Sequence, residues 1–130
     1  MSLTQKLSEW LGFRKAVQIQ NGESAKFHLL YGGLLIGTLS VNDEIWTFTY
    51  SDEFKQKSNF RPIVEFPDVN QTYQSPELWQ FFASRIPSPQ QEVVEEILKK
   101  ENIAEDNAVS LLQRFGKHTI TNPFHLEFVT

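Results

Sequence analysis

The 130-residue chain contains no cysteine, one methionine and six glycines. Without cysteine there can be no disulfide framework, thiolate zinc site or cysteine nucleophile, a composition that suits a reducing compartment. Long apolar runs are missing as well. Neither a membrane-spanning helix nor a basic-then-apolar secretory leader is visible, and the expected location is the cytoplasm, away from membranes. Positive charge is in short supply: 12 Lys and Arg against 16 Asp and Glu give a formal charge of −4, with a pI near 5.3. Autonomous binding to a phosphate backbone relies on clustered Lys and Arg, so no direct nucleic-acid binding is expected. The signatures of common chemistry are also lacking. Gly32-Gly33 and Gly37 do not have phosphate-loop spacing, and His28, His118 and His125 lie far apart in sequence, with no His-Glu-x-x-His or calcium-loop pattern. The reading is a non-enzyme with no catalytic residues, no metal and no cofactor.

What the chain does have is aromatic residues, 11 Phe, 3 Trp and 3 Tyr, and a length that suits one domain over 1–130. Leu3, Leu7, Trp10 and Leu11 recur at helical spacing before Gly12, so residues 1–14 form an expected N-terminal helical extension. Asn21-Gly22 between Lys15–Gln20 and Ser24–Tyr31 predicts a hairpin. Gly32-Gly33 gives the next turn, and Leu34–Val41 leads through Asn42-Asp43-Glu44 into Ile45–Tyr50 as a second hairpin. In that last strand Trp46, Phe48 and Tyr50 alternate with Thr47 and Thr49, which assigns the aromatics to the core. Ser51 to Asn59 reads as a turn or short helix around Phe54. A proline-bounded strand is expected over Arg61–Pro67, followed by a connecting loop over Asp68–Gln74.

The central feature is the stretch Ser75–Pro89. Ser75 suits a helix cap, Pro76 its first position and Glu77 its first turn, with Pro87 as the stop. Leu78, Trp79, Phe81, Phe82 and Ile86 then cover more of a short helix than one core-facing stripe requires. Trp79 falls at the edge of the buried arc. Trp79, Gln80, Arg85, Pro87 and Ser88 are accordingly the candidate partner-binding residues. A second helix, capped by Ser88 with Pro89 and Gln91 following, buries Val93, Val94, Ile97 and Leu98. Glu95 with Lys99 and Glu96 with Lys100 make its solvated face. A third helix from Asn107 carries Val109, Leu111, Leu112 and Phe115 to Gly116, and Phe124–Val129 closes the chain as a strand. The fold class is α+β: a small, mostly antiparallel sheet of two hairpins plus edge strands, packed by about three helices.

Several of these segments, taken together, resemble the N-terminal subdomain of HipA-type kinases. They are Tyr31-Gly32-Gly33-Leu34-Leu35-Ile36-Gly37-Thr38-Leu39, the aromatic strand ending at Tyr50, Arg61-Pro62-Ile63, Trp79-Gln80-Phe81-Phe82 with Ile86-Pro87, and Leu111-Leu112-Gln113-Arg114-Phe115-Gly116. The resemblance covers roughly residues 27–129. It implies a free-standing version of that subdomain, as in the HipS family, the small component of three-part HipBST toxin–antitoxin systems. It further implies a HipT-like serine/threonine kinase as partner, a HipB-like helix-turn-helix protein that binds operator DNA, and neutralisation of the kinase. A structural subunit that completes the kinase, or a corepressor acting with the HipB-like protein, are the competing expectations. One departure is that Lys117-His118-Thr119-Ile120 and the residues up to Phe124 lack the Asp-x-x-Gly-Ala pattern of full HipA chains.

Overall fold

The computed structural model describes residues 24–57, 59–120 and 122–130. Five strands form one antiparallel sheet: β1 (Ser24–Tyr31), β2 (Leu34–Asn42), β3 (Ile45–Tyr50), β4 (Tyr73–Ser75) and β5 (His125–Phe128), in the order β4-β3-β2-β1-β5. Four helices accompany it among the described residues: α1 (Asp52–Lys55), α2 (Gln80–Ala83), α3 (Glu92–Glu101) and α4 (Ala108–Phe115). The α+β reading therefore holds. The expected N-terminal helix, the Lys15–Gln20 strand and the Asn21-Gly22 turn lie outside the described residues.

Two compact units divide the described chain. One holds residues 24–86 and 112–130 and contains the whole sheet; the other holds residues 87–111. In the sheet unit, β1, β2 and β3 form a meander whose turns follow the chemistry of their residues. Gly32 takes φ +59 at the first turn, and Asp43 and Glu44 both take positive φ at the second, the backbone of a tight hairpin that matches strand twist. Side-chain alternation then places Phe27, Leu29, Leu39, Val41, Trp46, Phe48 and Tyr50 on the buried face, and Ile36 is buried where the register of β1 and β2 shifts. The register aligns Phe128, Phe27, Leu39, Phe48 and Tyr73 in one row across all five strands. Gly37 is needed because a Cβ there would stand 2.7 Å from Phe48 Cζ and 2.6 Å from the Thr49 carbonyl oxygen.

The predicted strand at Arg61–Pro67 does not form; this segment is a turn without a ladder. Prolines at 62 and 67 cannot donate to a neighbouring strand. Ile63 and Phe66 are both buried, a spacing of three that alternation cannot give. The segment hangs instead on Tyr50, whose hydroxyl accepts from Ile63 N at 2.9 Å and donates to the Phe66 carbonyl at 2.7 Å. The sheet edge is taken by β4, where a loop was expected, because Tyr73 sits opposite Phe48 with its ring 5.1 Å from that of Phe66.

Burial pushes the Tyr50 phenol up to about 12, and the hydrogen bond from Ile63 works in the opposite direction. A tyrosine in the unfolded chain ionises near 10. The stability contributed by the neutral phenol is thus complete below pH 10 and is lost as the pH rises through 12. Tyr50→Phe should cost about 1 to 3 kcal/mol at neutral pH, since it orphans the Ile63 N–H and the Phe66 carbonyl. Urea titrations at pH 7, 9 and 11 should show the two proteins converging at the alkaline end; a parallel pair of curves would show that Tyr50 is not the titrating group.

In the 87–111 unit, helix α3 starts later than its sequence signals suggest. Ser88 Oγ accepts from Gln90 N at 3.3 Å in a local turn, and Gln91 is the residue that precedes the first turn of α3. Val94 and Leu98 are buried, but Val93 is 61% exposed and leaves the predicted stripe. Asn102, at φ 58, ends the helix in the left-handed conformation. Asn107 then caps α4, its Oδ1 accepting from Ser110 N at 3.2 Å.

Candidate partner interface

Helix α2 is shorter than its sequence signals imply. Ser75 is still paired with Trp46 as the last residue of β4, and its hydroxyl accepts from Glu77 N at 3.0 Å in a turn. The predicted cap at Ser75 is therefore corrected: the helix begins at Gln80, with Trp79 as its cap residue in extended conformation. The Trp79 carbonyl accepts from Phe82 N and Ala83 N at 3.0 and 2.9 Å.

This single turn of helix distributes its apolar residues in three directions. Phe82 is fully buried, its ring 5.7 Å from Phe48 and 6.1 Å from Phe66. Trp79 is half-buried, its indole edge-on to Phe66 at 5.0 Å. Phe81, also half-buried, meets Phe82 at 5.1 Å and Phe124 at 5.8 Å. Gln80 is exposed. The outer surface of α2 is thus a polar residue between two aromatic shoulders. Aromatics with one surface packed and one surface accessible suit a protein interface better than a core.

Arg85 occupies a different position from its sequence-predicted partners. It is 4% exposed, and burial pulls its guanidinium pKa down to about 10, leaving it charged at neutral pH. One terminal nitrogen donates to the Gly116 carbonyl at 3.0 Å. The other donates to Asn122 Oδ1 and to the Phe124 carbonyl, both at 3.0 Å. Its charge also lies 5.8 Å from the centre of the Phe81 ring. Arg85 therefore clamps the 116–124 turn beneath α2 rather than presenting a charge to solvent. Pro87, half-buried, and Ser88, exposed, belong to the 87–111 unit. Among the predicted site residues in the sheet unit, Trp79 and Gln80 reach the surface.

The sequence reading missed the clamp. Its acceptors lie 31 to 39 residues from Arg85, and two of the three are backbone carbonyls that carry no sequence signature. The only available signal was a lone arginine in an otherwise apolar stretch. Among the described residues no group of three or more His, Asp or Glu is placed to hold a metal ion. No helix of the described residues is long and apolar enough to cross a membrane.

A family model for the HipA N-terminal domain matches residues 27–121. The chain belongs to the HipA N-terminal domain family. A search of curated proteins gave no match. In this HipA N-terminal domain the matched span runs from β1, through the three-stranded meander and α2, to the turn that Arg85 clamps.

Proposed function

We propose that this HipA N-terminal domain is a non-catalytic antitoxin that binds a HipT-like serine/threonine kinase and neutralises it. In this reading it acts in the cytoplasm, in a three-component toxin–antitoxin system. A HipB-like helix-turn-helix protein supplies operator binding, and this chain makes no direct contact with nucleic acid. The observation that carries the proposal is Trp79. It is a half-buried indole at the start of a one-turn helix, beside exposed Gln80. Tryptophan is among the residues most enriched at interface hot spots, and its ring loses little conformational freedom when a partner covers it. Family membership supports the kinase as that partner. Arg85 serves the contact indirectly by holding the turn beneath the helix.

Co-expression with the products of adjacent reading frames, followed by affinity measurement, tests the assignment. Trp79→Ala should leave a cooperative thermal transition in place and weaken kinase binding by roughly 2 to 4 kcal/mol, the range of a hot-spot truncation. Equal binding by the variant would make Trp79 a bystander. A complex in which the kinase stays fully active would instead identify a structural subunit. Salt-dependent operator binding by this chain alone would identify a corepressor.

A further inference from the structure

Helix α2 has no cap of its own. Trp79 occupies the cap position in extended conformation, with φ −64 and ψ 149, and makes no side-chain hydrogen bond to the helix. Ser, Thr, Asn or Asp at such a position accepts from the second or third amide of the first turn, whereas an indole offers only a donor. In α2 the second amide is Phe81 N. It is held from elsewhere: Glu65 Oε2 accepts from Phe81 N at 3.3 Å, across a sequence separation of 16 residues. A carboxylate suits the unpaired amides that open a helix.

The turn that carries Glu65 also grips the indole. Phe66, the next residue, is fully buried and meets the Trp79 ring edge-on at 5.0 Å. The Tyr50 hydroxyl fixes this turn through Ile63 N and the Phe66 carbonyl. Glu65 itself is exposed, and among the described residues its one hydrogen bond is the one to α2. Core packing therefore gives no reason for an acid at this position. Tryptophan at a helix cap is in turn a local choice against helix formation, of the kind that marks functional positions.

We propose that Glu65 is a positioning residue for the Trp79 contact. From the neighbouring turn it provides the cap that tryptophan cannot, which fixes where α2 begins and how the indole is presented. Phe66 supports the ring and Glu65 supports the backbone that carries it. The functional part of this inference rests on the kinase reading above; the capping part does not.

The test uses the full chain labelled with 5-fluorotryptophan, in which Trp79→Phe identifies the Trp79 fluorine resonance. Glu65→Ala should shift or broaden that resonance alone. The same variant should weaken binding to the co-expressed kinase about 5-fold, through the share of formed α2 that a lost cap removes. Glu65→Gln keeps an acceptor for Phe81 N and should bind within about 2-fold of the parent. A second pair of variants moves the cap into α2 itself. Glu65→Ala should lower Tm by about 4 °C in the parent but by less than about 1 °C in a Trp79→Asp background, where the aspartate accepts from the amide that Glu65 releases. An unmoved Trp79 resonance with parent-like binding by Glu65→Ala overturns the proposal. An equal Tm loss in both backgrounds also overturns it, since Glu65 would then support the turn without capping the helix. If the parent does not bind the kinase, the kinase reading fails alone, because the resonance and the paired Tm shifts still decide whether Glu65 positions Trp79.

Discussion

Phe48→Ala is expected to lower the unfolding free energy by about 3 to 5 kcal/mol, the range for truncating a fully buried phenylalanine that leaves a cavity. Phe48 has no exposed surface and stands where three parts of the sheet unit meet. Its ring stacks on Phe66 at 4.5 Å, contacts Tyr50 edge-on at 5.0 Å and reaches Phe82 of α2 at 5.7 Å. It also lies over Gly37, the one position in β2 where a Cβ would collide with it. Removing the ring therefore empties the space between β3, the Tyr50-anchored turn and α2 together. Neighbours on three separate segments cannot collapse inward without breaking the Tyr50 hydrogen bonds, which puts the cost toward the upper part of the range. A urea midpoint unchanged from the parent would mean that Phe48 does not centre the core.

Arg85→Met should cost about 2 to 4 kcal/mol and should loosen the 116–124 turn. Methionine matches much of the apolar stem but leaves the Gly116 and Phe124 carbonyls without their donor, at about 1 to 3 kcal/mol for each buried group left unsatisfied, while Asn122 Oδ1 keeps the Phe124 N–H at 3.0 Å. Part of that loss is offset because a buried charge with no anionic partner is itself costly. Arg85→Lys should recover little, since one ammonium cannot reach three acceptors in the geometry of a planar fork. Hydrogen exchange provides the decisive readout: amides near Gly116 and Phe124 should lose protection while those of β2 and β3 keep theirs. Uniform loss would mean that Arg85 supports the whole unit rather than this turn.

The parts of the fold that were legible in the sequence are those set by local chemistry. Alternation in Ile45–Tyr50 identified the core face of β3, Gly32-Gly33 and Asn42-Asp43-Glu44 marked both turns of the meander, and Asn107 and Gly116 bracketed α4. Misreadings arose where a distant partner overrode a local signal. Ser75 has the chemistry of a helix cap, but pairing with Trp46 keeps it in the sheet. Arg61–Phe66 has strand-like residues, but two prolines and the Tyr50 hydroxyl make it a turn. The excess of apolar residues around α2 was visible as an excess. Its division into buried Phe82 and half-buried Trp79 and Phe81 depended on where the helix starts, and that followed from β4. As part of the turn from Arg85 to Ser88 beside Trp79, Arg85 reads as a surface contact, whereas its acceptors come from a turn more than 30 residues away.

The central claim is that this domain silences a kinase through Trp79, and the most direct measurement is the initial rate of autophosphorylation of the purified HipT-like kinase titrated with this protein. The rate should fall to near zero at one equivalent of the parent, and Trp79→Ala should restore it unless added in large excess, with Gln80→Ala intermediate. Undiminished autophosphorylation in a saturated complex with the parent protein would contradict it.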